Sequence, residues 1–338
     1  MRRVTLCLAT VALLAGCGPA ETERPATSDA TPLRVASLTV PDTPWYDTWR
    51  RFEERLSEEN HDLAPEFYLS GQLGAEEAVL SGLRRNRVQM GGFSLHGLAT
   101  VVPELSLLLA PYLFESQAHA DFVVDGYLTE VYAELLAERG IELLAWSEVG
   151  WNHVYATRPI AGPESLRGQA MRASNAEAPR LFAEALGARS INVTFAELHT
   201  ALQTGMVVSG QSGIGMYVMT GLGREAPHLH LTGHIYDTGI TVANRSWWLT
   251  LPEETREAIR RSLGSQAEGR EAIREHLLRL EEEALADPRL TVTQPTGEVL
   301  AEWRALGLAT HPALIERSGP RAAEIYRLIE QANAAWAE

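Results

Sequence analysis

Short β-branched and apolar runs alternate with amphipathic helical stretches along this chain, and that alternation limits the possible fold more than any other feature. Leu33 to Val40 is one such run, bounded by Pro32 and Pro41, and it suits a buried first strand. After Pro44, residues Trp45, Trp49, Phe52 and Leu56 recur at helical spacing among acidic and arginine side chains. Glu66 to Leu69 reads as a second strand and runs into the turn Gly71-Gln72-Leu73-Gly74. A helix from Ala75 to Arg85 and a short strand from Val88 to Gly91 follow. Strands alternating with helices predict βα units and a largely parallel sheet.

The pattern resumes in the second half. Ile141 to Trp146, Trp151 to Ala156 and Met171 to Ser174 read as strands, and Val207-Val208 as a further one. Asn175 is placed to cap a helix carrying Ala178, Leu181, Phe182 and Leu186 on one face and ending at Gly187. Phe195, Leu198 and Leu202 mark another helix. Pro252 to Ala286 is helical in pattern apart from Gly264 and Gly269, long enough to run along two lobes. Glu298 to Leu306 and Pro312 to Trp336 finish the chain in helices. A length of 338 residues with 45% hydrophobic content supports two cores.

The N-terminus bears on the compartment. Arg2 and Arg3 precede an apolar stretch, Val4 to Ala15, which is too short to span a bilayer and reads as a signal peptide. Leu14-Ala15-Gly16-Cys17 resembles a bacterial lipobox, which implies cleavage before Cys17 and acylation of that cysteine. Residues 1–17 are then the leader, and 18–32, rich in Pro, Thr, Glu and Ala, a flexible tether. Cys7 leaves with the leader, so the mature chain has no pair of cysteines for a disulfide or a thiolate metal site. The net charge of -15 disfavours nucleic acid. The chain contains no lysine, which excludes Schiff-base chemistry and a phosphate loop of the G-x-x-x-x-G-K type.

Taken in order, several segments resemble the DctP-like solute-binding proteins of tripartite ATP-independent periplasmic (TRAP) transporters. They are Gly71-Gln72-Leu73-Gly74, Ala110-Pro111-Tyr112-Leu113-Phe114, Leu166-Arg167-Gly168 running into Met171-Arg172, Leu186-Gly187-Ala188, Phe195-Ala196-Glu197 with Thr200 to Gly205, Gly210-Gln211, and Trp248 to Glu253. The resemblance implies a two-lobed α/β periplasmic binding protein fold with a ligand cleft between the lobes and a long helix linking them. Lobe I is expected over 33–149 plus 238–277, and lobe II over 150–237 plus 278–338. Hinge strands are expected near Glu148 to Asn152 and Asp237 to Ala243. The implied role is capture of a small organic carboxylate outside the cytoplasm, by a lipid-anchored protein. Delivery goes to the small and large membrane subunits of an ion-gradient-driven transporter, with no cofactor and no metal.

Arg172 is the leading candidate contact, because a guanidinium fork matches a carboxylate bidentately and the family's arginine at this motif position holds the substrate carboxylate. Phe195 matches a position that lines the cleft. Trp151 and Asn152 follow Gly150 at the lobe boundary, where some relatives carry a second arginine; here Asn152 offers only an amide. Ser94 stands at a polar contact position, Gln211 within the Gly210-Gln211 motif, and His234 at a histidine near the cleft. Gly213 stands where an asparagine is common, and Ser209 replaces an aspartate. These departures suit a ligand with one carboxylate and a largely apolar body.

His228 and His230 would share a strand face, but only Asp237 stands near enough in sequence to help complete a metal shell. An exported hydrolase using Ser212 or Ser94 is the alternative from another class, since Gly210-Gln211-Ser212-Gly213-Ile214 approaches a nucleophile elbow but lacks its last glycine. A binding protein serving a sensor or an ABC importer is a third reading. The balance of these features points away from an enzyme.

Overall fold

The computed structural model describes residues 30–59 and 61–337. The expected leader, Cys17 and the tether through residue 29 lie outside the described residues. The strands, in chain order, are β1 (Thr31–Ala36), β2 (Leu63–Tyr68), β3 (Met90–Ser94), β4 (Ile141–Trp146), β5 (Gly150–Ala156), β6 (Ala170–Ala173), β7 (Arg189–Asn192), β8 (Ser209–Gly213), β9 (His228–Asp237), β10 (Gly239–Asn244) and β11 (Thr291–Thr293). They form two sheets, ordered β2-β1-β3-β10-β4 and β11-β9-β5-β8-β6-β7. In the first sheet β1 runs parallel to β2 and β3, while β10 is antiparallel to β3 and β4. In the second, β6 runs parallel to β7 and β8, and β5 is antiparallel to β8 and β9.

This is the two-lobed α/β arrangement expected from the alternation of strand and helix. The chain passes between the sheets at Ser147–Val149, at Thr238, and through the helix Gln266–Ala286. At 21 residues that helix is about 31 Å long. It packs on the helix Pro44–Glu58 of the first lobe, on Ile214–Met219 of the second, and on β11.

Local expectation and structure differ where tertiary partners run out. β1 ends at Ala36, where its last pairing is with Tyr68, so Ser37 to Val40 leave the sheet. The strand expected at Val207-Val208 starts instead at Ser209, immediately after that pair. Asn175 does not cap its helix, which begins at Glu177; its amide instead donates to Glu77 and accepts from Asn192. The helix expected from Pro252 to Ala286 breaks at Gly264, whose φ of 78° suits glycine, into Glu253–Leu263 and Gln266–Ala286. Pro312 to Trp336 is likewise two helices, His311–Arg317 and Ala322–Trp336, divided at Gly319 with φ 97° and Pro320. The last of these buries Ile325, Ile329 and Ala332 in a cluster with Leu135 and Leu136, packing on Gln117–Val123. The range expected for the second lobe, 278–338, includes this helix.

Candidate functional site

In an α/β sheet, ligand sites collect beyond the carboxyl ends of the strands. Here the segments following five parallel strands, β1, β3, β6, β7 and β8, converge on one cavity of about 520 Å³ between the two sheets. Its walls include Leu38, Val40, Ser94, His96, Ser174, Phe195 and Met216. Ser147, Glu148, Val149 and Asp237, at the crossings between sheets, close its back.

Arg172 stands on β6 with its side chain nearly buried at 9% exposure. Its Nε donates to the Val193 carbonyl at 3.0 Å. Among the described residues no carboxylate lies within ion-pairing distance of it, while Tyr155 is the one group that acts on it favourably by charge. Desolvation pulls its pKa below the ordinary guanidinium value. A buried cation without a counter-ion is unfavourable, and an anion entering the cavity relieves it.

Apart from Asn152, the other charged and amide side chains lining the cavity are engaged by protein. Glu76 accepts from the Ser94 amide at 2.6 Å and hydroxyl at 2.8 Å; burial still raises its pKa. His96 meets Asp237 at 3.0 Å through Nε2 and Ser174 at 2.8 Å through Nδ1, a chain that ties the first lobe to the second. Glu148 takes Arg274 Nε at 2.7 Å and the Tyr236 hydroxyl, with burial pushing its pKa up against both. Gln211 donates to the Pro179 carbonyl at 2.8 Å and meets His234 Nε2 at 2.9 Å. Asn175 is held by Glu77 and Asn192, as above. Asn152 is 4% exposed, and its amide has no hydrogen-bond partner among the described residues.

Six of the eight residues expected to contact ligand therefore line this cavity: Arg172, Phe195, Asn152, Ser94, Gln211 and Gly213. Trp151 and His234 do not. Trp151 projects from the opposite face of β5 to Asn152 and packs on Tyr236 at 4.8 Å between ring centres. His234 lies one layer back, stacked on Phe182 at 4.4 Å, with Thr232 on Nδ1 and Gln211 on Nε2. Ser212, proposed as a nucleophile, is on the wall, and Ser94 is committed to Glu76 and to capping Gly97. Among the described residues no group of three His, Cys, Asp or Glu is placed to hold a metal ion. Sequence reasoning did not reach Trp45, Glu76, His96, Glu148, Ser174 or Met216. For His96, Glu148, Ser174 and Met216 the signal is position just beyond a strand end, legible only once the strands are placed, whereas Trp45 and Glu76 stand at the starts of the helices Pro44–Glu58 and Glu76–Arg84.

With this geometry in view, the comparisons with known proteins are direct. The model of the bacterial extracellular solute-binding protein family 7, DctP, matches residues 35–317. The chain belongs to this family. It is 24% identical over 299 residues to the C4-dicarboxylate-binding periplasmic protein DctP of Rhodobacter capsulatus, covering 87% of this chain and 90% of that one. It is 27% identical over 212 residues to the 2,3-diketo-L-gulonate-binding periplasmic protein YiaO of Escherichia coli, covering 62% and 65%. A TRAP periplasmic solute-binding protein from Desulfovibrio salexigens, solved with orotic acid, superposes with a TM-score of 0.83 at 22% identity, over 90% of this chain and 99% of that one. The ectoine-binding protein of Halomonas elongata gives 0.82 at 22%, over 90% and 99%. The chain is thus an extracellular solute-binding protein of the DctP family, and its family and neighbours are solute-binding proteins rather than enzymes. Among the described residues no helix is long and apolar enough to cross a membrane.

Proposed function

We propose that this DctP-family protein captures a small organic carboxylate through Arg172 and delivers it to the small and large membrane subunits of a TRAP-type transporter. The observation that carries the reading is the nearly buried Arg172 guanidinium, which faces the cavity with no carboxylate partner among the described residues. Binding at an interlobe cleft also fits relatives whose structures hold orotic acid, succinate or β-D-glucuronate. We assign the acid's carboxylate to the Arg172 fork, its flank to Asn152, and the covering contact to Phe195. Ser94, Gln211 and His234 act behind these by positioning. The lobes close by bending at Glu148–Asn152 and Asp237–Ala243, so that ligand shifts the population toward the closed form. Cys17 carries the lipid that keeps the protein at the membrane.

A thermal-shift screen of the mature chain against organic acids tests the binding reading. A true ligand raises stability by about 2.7 kcal/mol at a hundredfold excess over its dissociation constant. No shift from any carboxylate, with shifts from neutral or cationic solutes, would sink the reading. Fatty-acid label entering the wild type and not Cys17→Ser decides the anchor.

A further inference from the structure

An arginine at the ligand says what one end of the solute is and leaves the rest of it open. The walls of the cavity describe that remainder. Leu38, Val40 and Phe195 are 40%, 38% and 36% exposed, and all three belong to the cavity wall. Their exposure is turned inward, where an apolar solute covers it and a hydroxylated one does not. Trp45 adds a ring whose only polar atom is already committed, since Nε1 donates to the Glu148 carbonyl at 2.7 Å. Met216 and Met219 contribute half-buried thioethers that adapt to irregular apolar shapes.

The polar inventory of the cavity agrees. Binding a sugar acid takes several side chains able to bond hydroxyls, and binding a dicarboxylate takes a second cation. Gln211, Asn175, His96, Glu76 and Glu148 are turned to protein partners, as is Asp237 through Oδ2, and among the described residues Asn152 is the one amide on the wall without a partner. Among the described residues Arg172 is the single guanidinium on the wall. Four acids on the wall, Glu76, Glu77, Glu148 and Asp237, disfavour a second anionic group on the ligand.

We infer that the solute is a monocarboxylate with an aromatic or branched aliphatic body, selected by Leu38, Val40, Trp45, Phe195 and Met216. The inference rests on the carboxylate assignment to Arg172 and adds the chemical class of the body. The acid end enters toward β6, and the body lies against the segment that leaves β1. Specificity against sugar acids and dicarboxylates arises because their hydroxyls or second charge would be desolvated there without a partner.

Titration calorimetry on the full chain, with two sets of acids, tests this. The first set is 3-phenylpropanoate and 4-methylpentanoate with their shorter homologues; the second is gluconate and succinate. The first set binds more tightly, and each added methylene strengthens binding about fourfold until the cavity is filled. Val40→Asn and Leu38→Asn, both at exposed positions on a loop that tolerates polar residues, weaken the apolar acids about tenfold each and narrow the gap to gluconate. Gly213→Asn is a further variant: the backbone there (φ -65°) accepts any residue, and its Cβ would meet Asn152 Oδ1 at 3.5 Å, ordinary contact. It adds an amide to the wall and favours hydroxylated acids. Tighter binding of gluconate or succinate, a flat homologous series, or no saturable binding by any apolar acid overturns the inference. Loss of gluconate binding in Arg172→Ala would then show that the carboxylate reading survives alone. Equal binding of 3-phenylpropanamide and 3-phenylpropanoate would instead remove the carboxylate reading and leave the apolar one standing.

Discussion

Arg270 and Arg172 are both nearly buried, and the protein surrounds them in opposite ways. Arg270, on the long helix, holds Asp125 with two hydrogen bonds of 2.6 and 2.9 Å and reaches Asp121 at 3.1 Å. One turn further along, Arg274 joins Asp121, Glu148 and the Tyr236 hydroxyl, pinning the helix to the crossings between the lobes. Arg172 has one backbone carbonyl. An arginine that the fold uses for its own cohesion is given carboxylates; one left without them keeps its charge for something that arrives from outside. The contrast separates a mechanical site from a binding site built from the same side chain.

The comparison can be broken most directly at Arg172. Arg172→Ala should weaken the cognate acid by about 2 to 5 kcal/mol, roughly thirtyfold to several thousandfold, while the ligand-free protein stays folded. Calorimetry beside a urea melt separates the two effects, and binding within a few-fold of wild type would erase the distinction.

The next largest effect belongs to the hinge. Arg274→Met leaves Glu148, 1% exposed, with Tyr236 as its remaining partner. Breaking a buried pair from one side typically loses 3–5 kcal/mol, and the surviving hydroxyl bond points to about 3. Arg172→Met in the ligand-free protein, by contrast, removes a lone buried cation and should not destabilise it. Equal losses in urea from the two methionine variants would show that the arginines do the same work.

A smaller effect sharpens the contrast by isolating Arg172 from the imidazoles behind it. Burial lowers the His153 pKa to about 3, with neighbouring His230 adding to the drop, and lowers those of His234 and His230 as well. In the unfolded chain these groups take up a proton near pH 6.5, whereas in the folded protein they resist it. Stability is therefore level above about pH 6.5 and falls below it, toward the folded value of His153, by up to about 1.4 kcal/mol per pH unit for each imidazole. Urea melts between neutral pH and pH 5.5 should show this slope in wild type and Arg172→Met alike. A slope that disappears with Arg172 would assign the acid sensitivity to the arginine.

Much of the site was legible because the family motifs carry their contacts at strand ends. Arg172, Phe195 and Gly213 were placed on the cavity by such motifs. Trp151 lies off the cavity wall because neighbours on a strand face opposite ways, and nothing local says which of Trp151 and Asn152 faces in. His234 was expected at the cleft and lies behind Gln211, a layering that depends on how β8 and β9 sit on either side of β5. The chain from Asp237 through His96 to Ser174 left no trace, since the three are separated by 63 to 141 residues and are joined only where the two sheets face each other.

The alternation of strand and helix and the two-lobed class followed from the amino-acid order alone. Those features depend on backbone sterics and on burying one face of each element, and both act over a few residues. Which charges find partners was decided by tertiary structure. Arg172 and Arg270 are the same residue type, and no local pattern distinguishes them. Asp121 and Asp125 reach Arg270 because the helix Gln117–Val123 and its π-turn pack beside the long helix. Among the described residues no acid reaches Arg172, because the cavity opens where the strands of the second sheet end. A side chain's charge is local, but its compensation depends on groups brought together from far along the chain.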